Sequence, residues 1–157
     1  MGNQEIEFTR LVDDAQSLAL FRELNALFAD AFEEQETYLG NPPTDGYLLS
    51  LLAKEHVLVC TAMSCGELAG GLVAYVLDKF EQQRKEVYIY DLAVASKYRR
   101  KKIATQLIRF VQGQAEKLGA WVVFVQADPV DTAAVKLYSS IGKREDVLHF
   151  DFTLDKE

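Results

Sequence analysis

Cysteine and histidine are scarce in this chain of 157 residues, two of each. Cys60 lies in an apolar run and Cys65 at a turn. Their spacing to each other and to His56 and His149 is not that of a ligand set, which argues against structural zinc; no metal is expected. Two reduced thiols of a cytoplasmic protein are the plain reading. No apolar run approaches the ~20 residues needed to span a bilayer, so no membrane partner is expected. The opening residues MGNQEIEFTR lack the basic-then-apolar layout of a signal peptide. Gly2 opens a myristoylation motif, but Ile6 stands where Ser or Thr is wanted. Two glycine-based phosphate motifs are missing as well, the GxxxxGK[ST] loop and the GxGxxG dinucleotide fingerprint. Repeats, linkers and low-complexity tracts are absent too, and the length suits a single domain over 1–157.

Charge is present but uneven. Seventeen Lys and Arg face 24 Asp and Glu, for a net −7. Five cations and no acid fall in residues 97–102, and the other 12 cations face all 24 acids, a balance of −12. A nucleic-acid binder would spread its cations over a face, so no nucleic-acid partner is expected. The block suits an anionic ligand at one site, with a cationic ligand at another. The acids could equally serve only to keep the protein in solution.

Periodicity gives the elements. Glu5–Leu11 alternates and reads as a strand. Asp13 or Asp14 can cap a helix over 14–31, where Leu18, Phe21, Leu24, Leu27 and Phe28 recur at helical spacing. Glu33–Gly46 loses that period and reads as an acidic loop, and Asp45 can cap a short helix through Leu52. His56–Met63, a turn at Cys65-Gly66-Glu67 and Leu68–Leu77 make a hairpin, with Gly70-Gly71 hinting at a bulge or close packing. Glu86–Val94 is a third long strand. A helix from about Lys102 carries Ile103, Leu107, Val111, Ala115 and Leu118 on one face and ends at Gly119. Trp121–Gln126 is a continuous apolar run, as in a buried parallel strand. Asp131 or Thr132 opens a helix closed by Gly142, and Val147–Leu154 alternates as a last strand. The order βααβββαβαβ predicts an α/β (α+β) fold, a mixed central sheet flanked by helices.

The most informative stretch is the strand into Val94, the basic turn Lys97–Lys102 and the helix that follows at once. Free N–H groups of a helix start and concentrated positive charge meet there, as an anion site requires. A solvated basic turn would have the same composition. The run Arg99-Arg100-Lys101-Lys102-Ile103-Ala104 after that strand resembles the acetyl-CoA signature of the GNAT acetyltransferases, Gln/Arg-x-x-Gly-x-Gly/Ala. Lys102 stands where glycine is usual, and a helical φ is expected of it. The blocks Ala74–Leu77, Lys79–Gln82, Val87–Val94, Val125–Asp128, Ala134–Tyr138 and His149–Asp151 are similar to class I aminoglycoside 3-N-acetyltransferases. That likeness covers about residues 45–152. As in that branch, one strand rather than a hairpin follows the helix ending at Ile141, which would shorten one wall and suit a bulky substrate.

The resemblance implies the GNAT fold, acetyl-CoA as co-substrate and a polycationic small-molecule acceptor. The backbone of Leu92, Ala93 and Val94 would pair with the pantetheine arm as an added strand does. Arg99, Arg100, Lys101, Lys102, Ile103, Ala104 and Thr105 would hold the pyrophosphate. Tyr138 is the thiol-side acid, and it could equally be an interfacial tyrosine. Asp91 is the first candidate for general base or amine orienter, and Asp128 the second. Asp91 could instead be a bulge residue bonded to backbone, and Asp128 a turn residue before Pro129. Tyr75, Tyr90, Glu81, Asp91, Asp128 and Asp151 are the expected acceptor contacts, with Glu33, Glu34 and Glu36 as further acids. Neither cysteine is placed to carry an acyl group, so direct transfer is expected. An N-acetyltransferase for a polyamine or peptide, or a CoA-binding protein without catalysis, would use the same signature. Apolar residues on the last strand and on 68–77 could support a homodimer, common in the superfamily.

Overall fold

Five strands form one sheet in the computed structural model, which describes residues 4–155. They are β1 (Ile6–Arg10), β2 (Val57–Ser64), β3 (Glu67–Asp78), β4 (Lys85–Val94) and β5 (Ala120–Val125). Their spatial order is their chain order, antiparallel from β1 to β4 and parallel between β4 and β5. The parallel pair requires a crossover, supplied by α4 (Ile103–Lys117). Before β2 come α1 (Ala15–Phe32), α2 (Gln35–Leu39) and α3 (Asp45–Ala53), and α5 (Thr132–Ile141) follows β5. The chain divides after Gln126 into two compact units, the sheet with α1 to α4 and a short second unit holding α5. No helix among the described residues is long and apolar enough to cross a membrane.

The alternation along β2 explains the layering. Leu58, Cys60 and Ala62 join Leu72, Ala74, Val87 and Ile89 in one core with Ile103, Leu107, Val111 and Ala115 of α4. Val57 and Val59 point the other way, into a core with Phe21, Leu24 and Phe28 of α1 and Leu48 and Leu52 of α3. Both sheet faces are thus covered, which a strand as apolar as β2 demands. Gly71 lets α1 approach, because a Cβ there would stand 2.6 Å from Leu24 Cδ1. The expected close packing at Gly70-Gly71 forms, and the bulge falls one residue before it. The β2–β3 register shifts where Met63 pairs Leu68 and Ala62 pairs Gly70, so Ala69 is the extra residue.

Several boundaries differ from the sequence reading. The acidic stretch 33–46 is not all loop: α2 forms in it, with Tyr38 packed on Phe28 and Phe32. Thr44, not Asp45, caps α3, its Oγ1 accepting from Tyr47 N at 3.2 Å. Asp45 instead takes an ion pair from Arg22. The expected last strand over 147–154 is not formed; residues 143–155 have no regular secondary structure. A strand is stabilised by a ladder, and no described strand pairs with residues 147–154, so alternation alone does not make one. The described order is therefore βαααβββαβα, which leaves the mixed α/β character intact.

Candidate functional site

The basic turn is built on the first of two bulges. The N–H of Ala95 donates to the bulged Ala69 carbonyl at 2.8 Å, and a 3₁₀ turn over Ser96–Tyr98 follows. The Tyr98 ring is buried; its hydroxyl donates to Glu67 Oε2 at 2.7 Å. Lys97 reaches the same oxygen at 2.6 Å, and these two hydrogen bonds hold the Glu67 carboxyl below its usual range, Lys97 contributing most. Lys101 lies 5.4 Å from the centre of the Tyr98 ring. Of the five cations, Lys97 is thus committed to the fold.

Two residues in this turn take left-handed backbone, Arg100 at φ 64° and Lys102 at φ 60°. The expected helical φ at Lys102 is corrected: it is the N-cap of α4, with φ 60° and ψ 21°. Glycine suits that conformation best, and a lysine there carries strain of about 1–2 kcal/mol. Lys102 makes no side-chain cap bond, and the first hydrogen bond of α4 runs from Gln106 N to the Lys102 carbonyl at 3.0 Å. The N–H groups of Ile103, Ala104 and Thr105 therefore precede the ladder, at the positive end of the helix. A turn with alternating backbone hand before free N–H groups is an anion-binding concavity. These residues fit a pyrophosphate.

The strand leading in has an open edge. Pairing of β4 with β3 runs to Gly70↔Val94, but pairing with β5 ends at Ile89↔Val125. Tyr90–Val94 thus continue with a ladder on one side only. Arg99 Nε donates to the Val94 carbonyl at 3.4 Å, closing the far end of that edge. An extended, amide-bearing chain could pair along it as an added strand.

The second bulge decides what stands beside that edge. Val73 pairs Asp91 and Ala74 pairs Ile89, so Tyr90 is the extra residue of β4. Successive side chains of a regular strand point to opposite faces. The bulge puts Tyr90 and Asp91 on the same one. Tyr90 meets Tyr75 at 5.9 Å and Tyr88 at 5.8 Å, both edge-on, and Tyr88 stacks on Phe124 at 4.7 Å. Asp91 accepts from the Tyr38 hydroxyl at 2.7 Å. The alternative that its carboxylate bonds to backbone is not what forms.

Electrostatics single out Asp91. Burial raises its carboxyl above the usual range, Glu34 adds to the rise, and the Tyr38 hydrogen bond opposes it. Tyr38 is pushed well above the ordinary phenol range, by burial first and by Asp91 next. Burial also raises Tyr75, with Tyr47 and Tyr90 contributing. Tyr47, Tyr75 and Tyr90 keep 59%, 37% and 61% of their surface exposed. A half-buried carboxylate among open phenol faces can take a proton from an amine and hold cationic rings. Cys60 is no nucleophile: burial pushes its thiol up to about 12.

Residues 11–142 match the acetyltransferase (GNAT) family. The chain belongs to that family. GNAT enzymes use acetyl-CoA, and this chain is a GNAT acetyltransferase. A solved aminoglycoside acetyltransferase from an uncultured soil metagenomic sample is 44% identical, with a TM-score of 0.92 over 96% of this chain and 99% of that one. Another aminoglycoside acetyltransferase from an uncultured soil metagenomic sample, solved with sisomicin, is 32% identical, with a TM-score of 0.88 over 96% and 97%. The N-alpha-acetyltransferase 30 of Xenopus laevis is 30% identical over 102 residues, 62% of this chain. The chain spans 36% of the length of that curated relative.

Within the GNAT chain, the sequence-derived residues fall into separate groups. Leu92–Val94 and Arg99–Thr105 are contiguous along the open edge and the turn. Tyr75, Tyr90 and Asp91 are brought together at the bulge. Glu81 is not with them; it lies in the β3–β4 connection, 3.8 Å from Lys79 and 3.7 Å from Arg84. In the second unit, Asp128 Oδ1 accepts from Val130 N at 3.2 Å and Asp131 caps α5. Tyr138 lies on α5, and Asp151 meets His149 at 2.8 Å. Sequence reasoning missed Tyr38 and Tyr47. The available signal was Tyr38-Leu39, an apolar pair inside the acidic stretch.

Proposed function

We propose that this enzyme transfers an acetyl group from acetyl-CoA to the 3-amino group of an aminoglycoside, by direct attack in a ternary complex. The observation that carries the acceptor class is the bulge of β4, which sets Asp91 among exposed tyrosines where β4 parts from β5. The likeness to an aminoglycoside acetyltransferase at 44% identity supports it. Acetyl-CoA supplies an activated thioester. The backbone of Leu92, Ala93 and Val94 aligns its pantetheine arm. The N–H groups of Arg100 to Thr105, with the side chains of Arg99, Arg100, Lys101 and Lys102, hold its pyrophosphate.

Asp91 takes the proton from the attacking ammonium, or orients the amine once neutral. A carboxyl raised by burial is a stronger base than an exposed one, and it acts when ionised. Asp128 is the second candidate for that step. Tyr138 protonates the departing thiolate; Tyr138→Phe is expected to lower kcat by about tenfold or more with acetyl-CoA affinity nearly intact. Tyr75 and Tyr90 carry the sugar rings. Acetylation of such a drug in the cytoplasm would confer resistance.

The amphibian relative favours one further reading, acetylation of peptide N-termini. Thiol release from acetyl-CoA, measured with gentamicin, spermidine and a peptide panel, separates the two. Release with gentamicin, and a product acetylated at the 3-amino group by mass spectrometry and NMR, is the expected result. Turnover of peptides or spermidine alone overturns the acceptor. Acetyl-CoA binding without release in any arm overturns catalysis.

A further inference from the structure

Tyr38 is held from behind. Phe28 and Phe32, one turn apart on α1, stack at 5.6 Å, and the Tyr38 ring packs on them at 5.8 and 6.0 Å. Phe28 is fully buried. The α1–α2 junction is closed by Glu34 N donating to the Ala29 carbonyl at 3.0 Å and by Gln35 Nε2 to Asp30 Oδ1 at 2.8 Å. One hydroxyl of that clamped ring then reaches across 53 residues of sequence to Asp91 Oδ2. A five-residue helix has little stability of its own, so this placement comes from packing.

Several titratable groups surround Asp91. From its own strand come Tyr90 and Tyr88, from β3 Tyr75, from α2 Tyr38, and from the α1–α2 junction Glu34. Burial and Glu34 both favour the neutral acid; the Tyr38 hydroxyl favours the carboxylate by donating to it. Tyr38 keeps its proton across the working pH range and so remains a donor.

We propose that Tyr38 is the positioning residue for Asp91: its hydroxyl aims the carboxylate at the acceptor amine, favours its ionised form and thereby sets the acid limb of the pH–rate profile. This rests on Asp91 acting as the base. The sign follows from the pairing. Without the hydroxyl the carboxylate is harder to form, so the limb moves to higher pH. Without the Glu34 charge it is easier to form, so the limb moves to lower pH.

The test is kcat/KM for gentamicin against pH, for the wild type, Tyr38→Phe, Glu34→Gln and Asp91→Asn, with KM for acetyl-CoA measured alongside. The acceptor's own titration is common to all, so differences between profiles report the enzyme. Opposite shifts for Tyr38→Phe and Glu34→Gln, a larger loss for Tyr38→Phe on the acid side than on the plateau, and an unchanged acetyl-CoA KM are expected. A uniform loss in Tyr38→Phe with an unmoved limb overturns the proposal and leaves Tyr38 as packing. If Asp91→Asn retains the wild-type rate and limb, Asp91 is not the base, and that reading of the reaction fails whatever Tyr38 does.

Discussion

The proposed donor side and the proposed acceptor side of this chain are built by opposite means. The turn from Ala95 to Thr105 is contiguous in sequence and offers backbone N–H groups and cations on one short segment. The face around Asp91 is assembled from α2, α3, β3 and β4, and it works through side chains that meet only because β4 bulges at Tyr90. A site on one short segment can be read from its local pattern. A side-chain site depends on long-range placement, and one residue of register decides which groups face the ligand. The two should therefore fail differently when altered.

The largest difference is expected at Asp91. Asp91→Asn removes the proposed base, should cost about 10²–10⁴-fold in kcat/KM for an aminoglycoside, and should leave acetyl-CoA binding intact. Stability should move the other way. Asp91 binds its proton more tightly folded than unfolded, so its contribution to stability falls as pH rises through the usual carboxylate range and up to its raised value. At neutral pH the native carboxylate is thus a cost, and Asp91→Asn should melt higher than wild type. A variant both inactive and less stable would recast Asp91 as a structural group.

Next in size is a charge reversal on the donor side. Lys101→Glu with Lys102→Glu should raise KM for acetyl-CoA by about tenfold or more, in a salt-dependent way, with kcat at saturation nearly kept. The aminoglycoside KM should not rise. If both constants rise together, the two regions are coupled rather than separate.

How much was legible follows the same division. The signature Arg99–Ala104 and the apolar stripe of α4 were readable because each lies on one segment with a fixed period. Leu92–Val94 were expected to pair with a ligand, but nothing local says that the β5 ladder stops at Ile89. Asp91 was named from its block, without its partner. Tyr38 sits 53 residues away in a stretch too acidic and too short to read as a helix. Glu81 lies in a block of the family likeness and has the sign an ammonium group wants, but nothing local says that Lys79 and Arg84 engage it. The alternation of Val147–Leu154 is real, but a period of two describes a chain that can be a strand, and only a ladder partner makes it one.

On the acceptor side a single aromatic should matter less than the carboxylate. Tyr90→Ala removes one open ring face, worth about 0.5–1 kcal/mol toward an exposed cation, and should raise the aminoglycoside KM about two- to fivefold. The KM for acetyl-CoA should stay as it is. An equal rise in both would place Tyr90 in the support of the strand edge.

The smallest expected effect isolates backbone from charge at Lys102. Lys102→Gly and Lys102→Ala remove the same cation, so each should raise KM for acetyl-CoA about twofold, as one exposed charge contact of about 0–1 kcal/mol allows. They differ in backbone. Glycine relieves about 1–2 kcal/mol of left-handed strain at φ 60° but loosens the unfolded chain by about 0.4–1 kcal/mol, for a net gain of up to about 1.6 kcal/mol. Alanine keeps the strain and gains nothing. In a chain this long, 1 kcal/mol shifts Tm by about 2–4 °C. Thermal melts should therefore rank Lys102→Gly above wild type and wild type level with Lys102→Ala. Equal melting of the two variants would mean that residue 102 does not hold the left-handed turn in solution, and the lysine would then sit at the glycine position of the signature without strain.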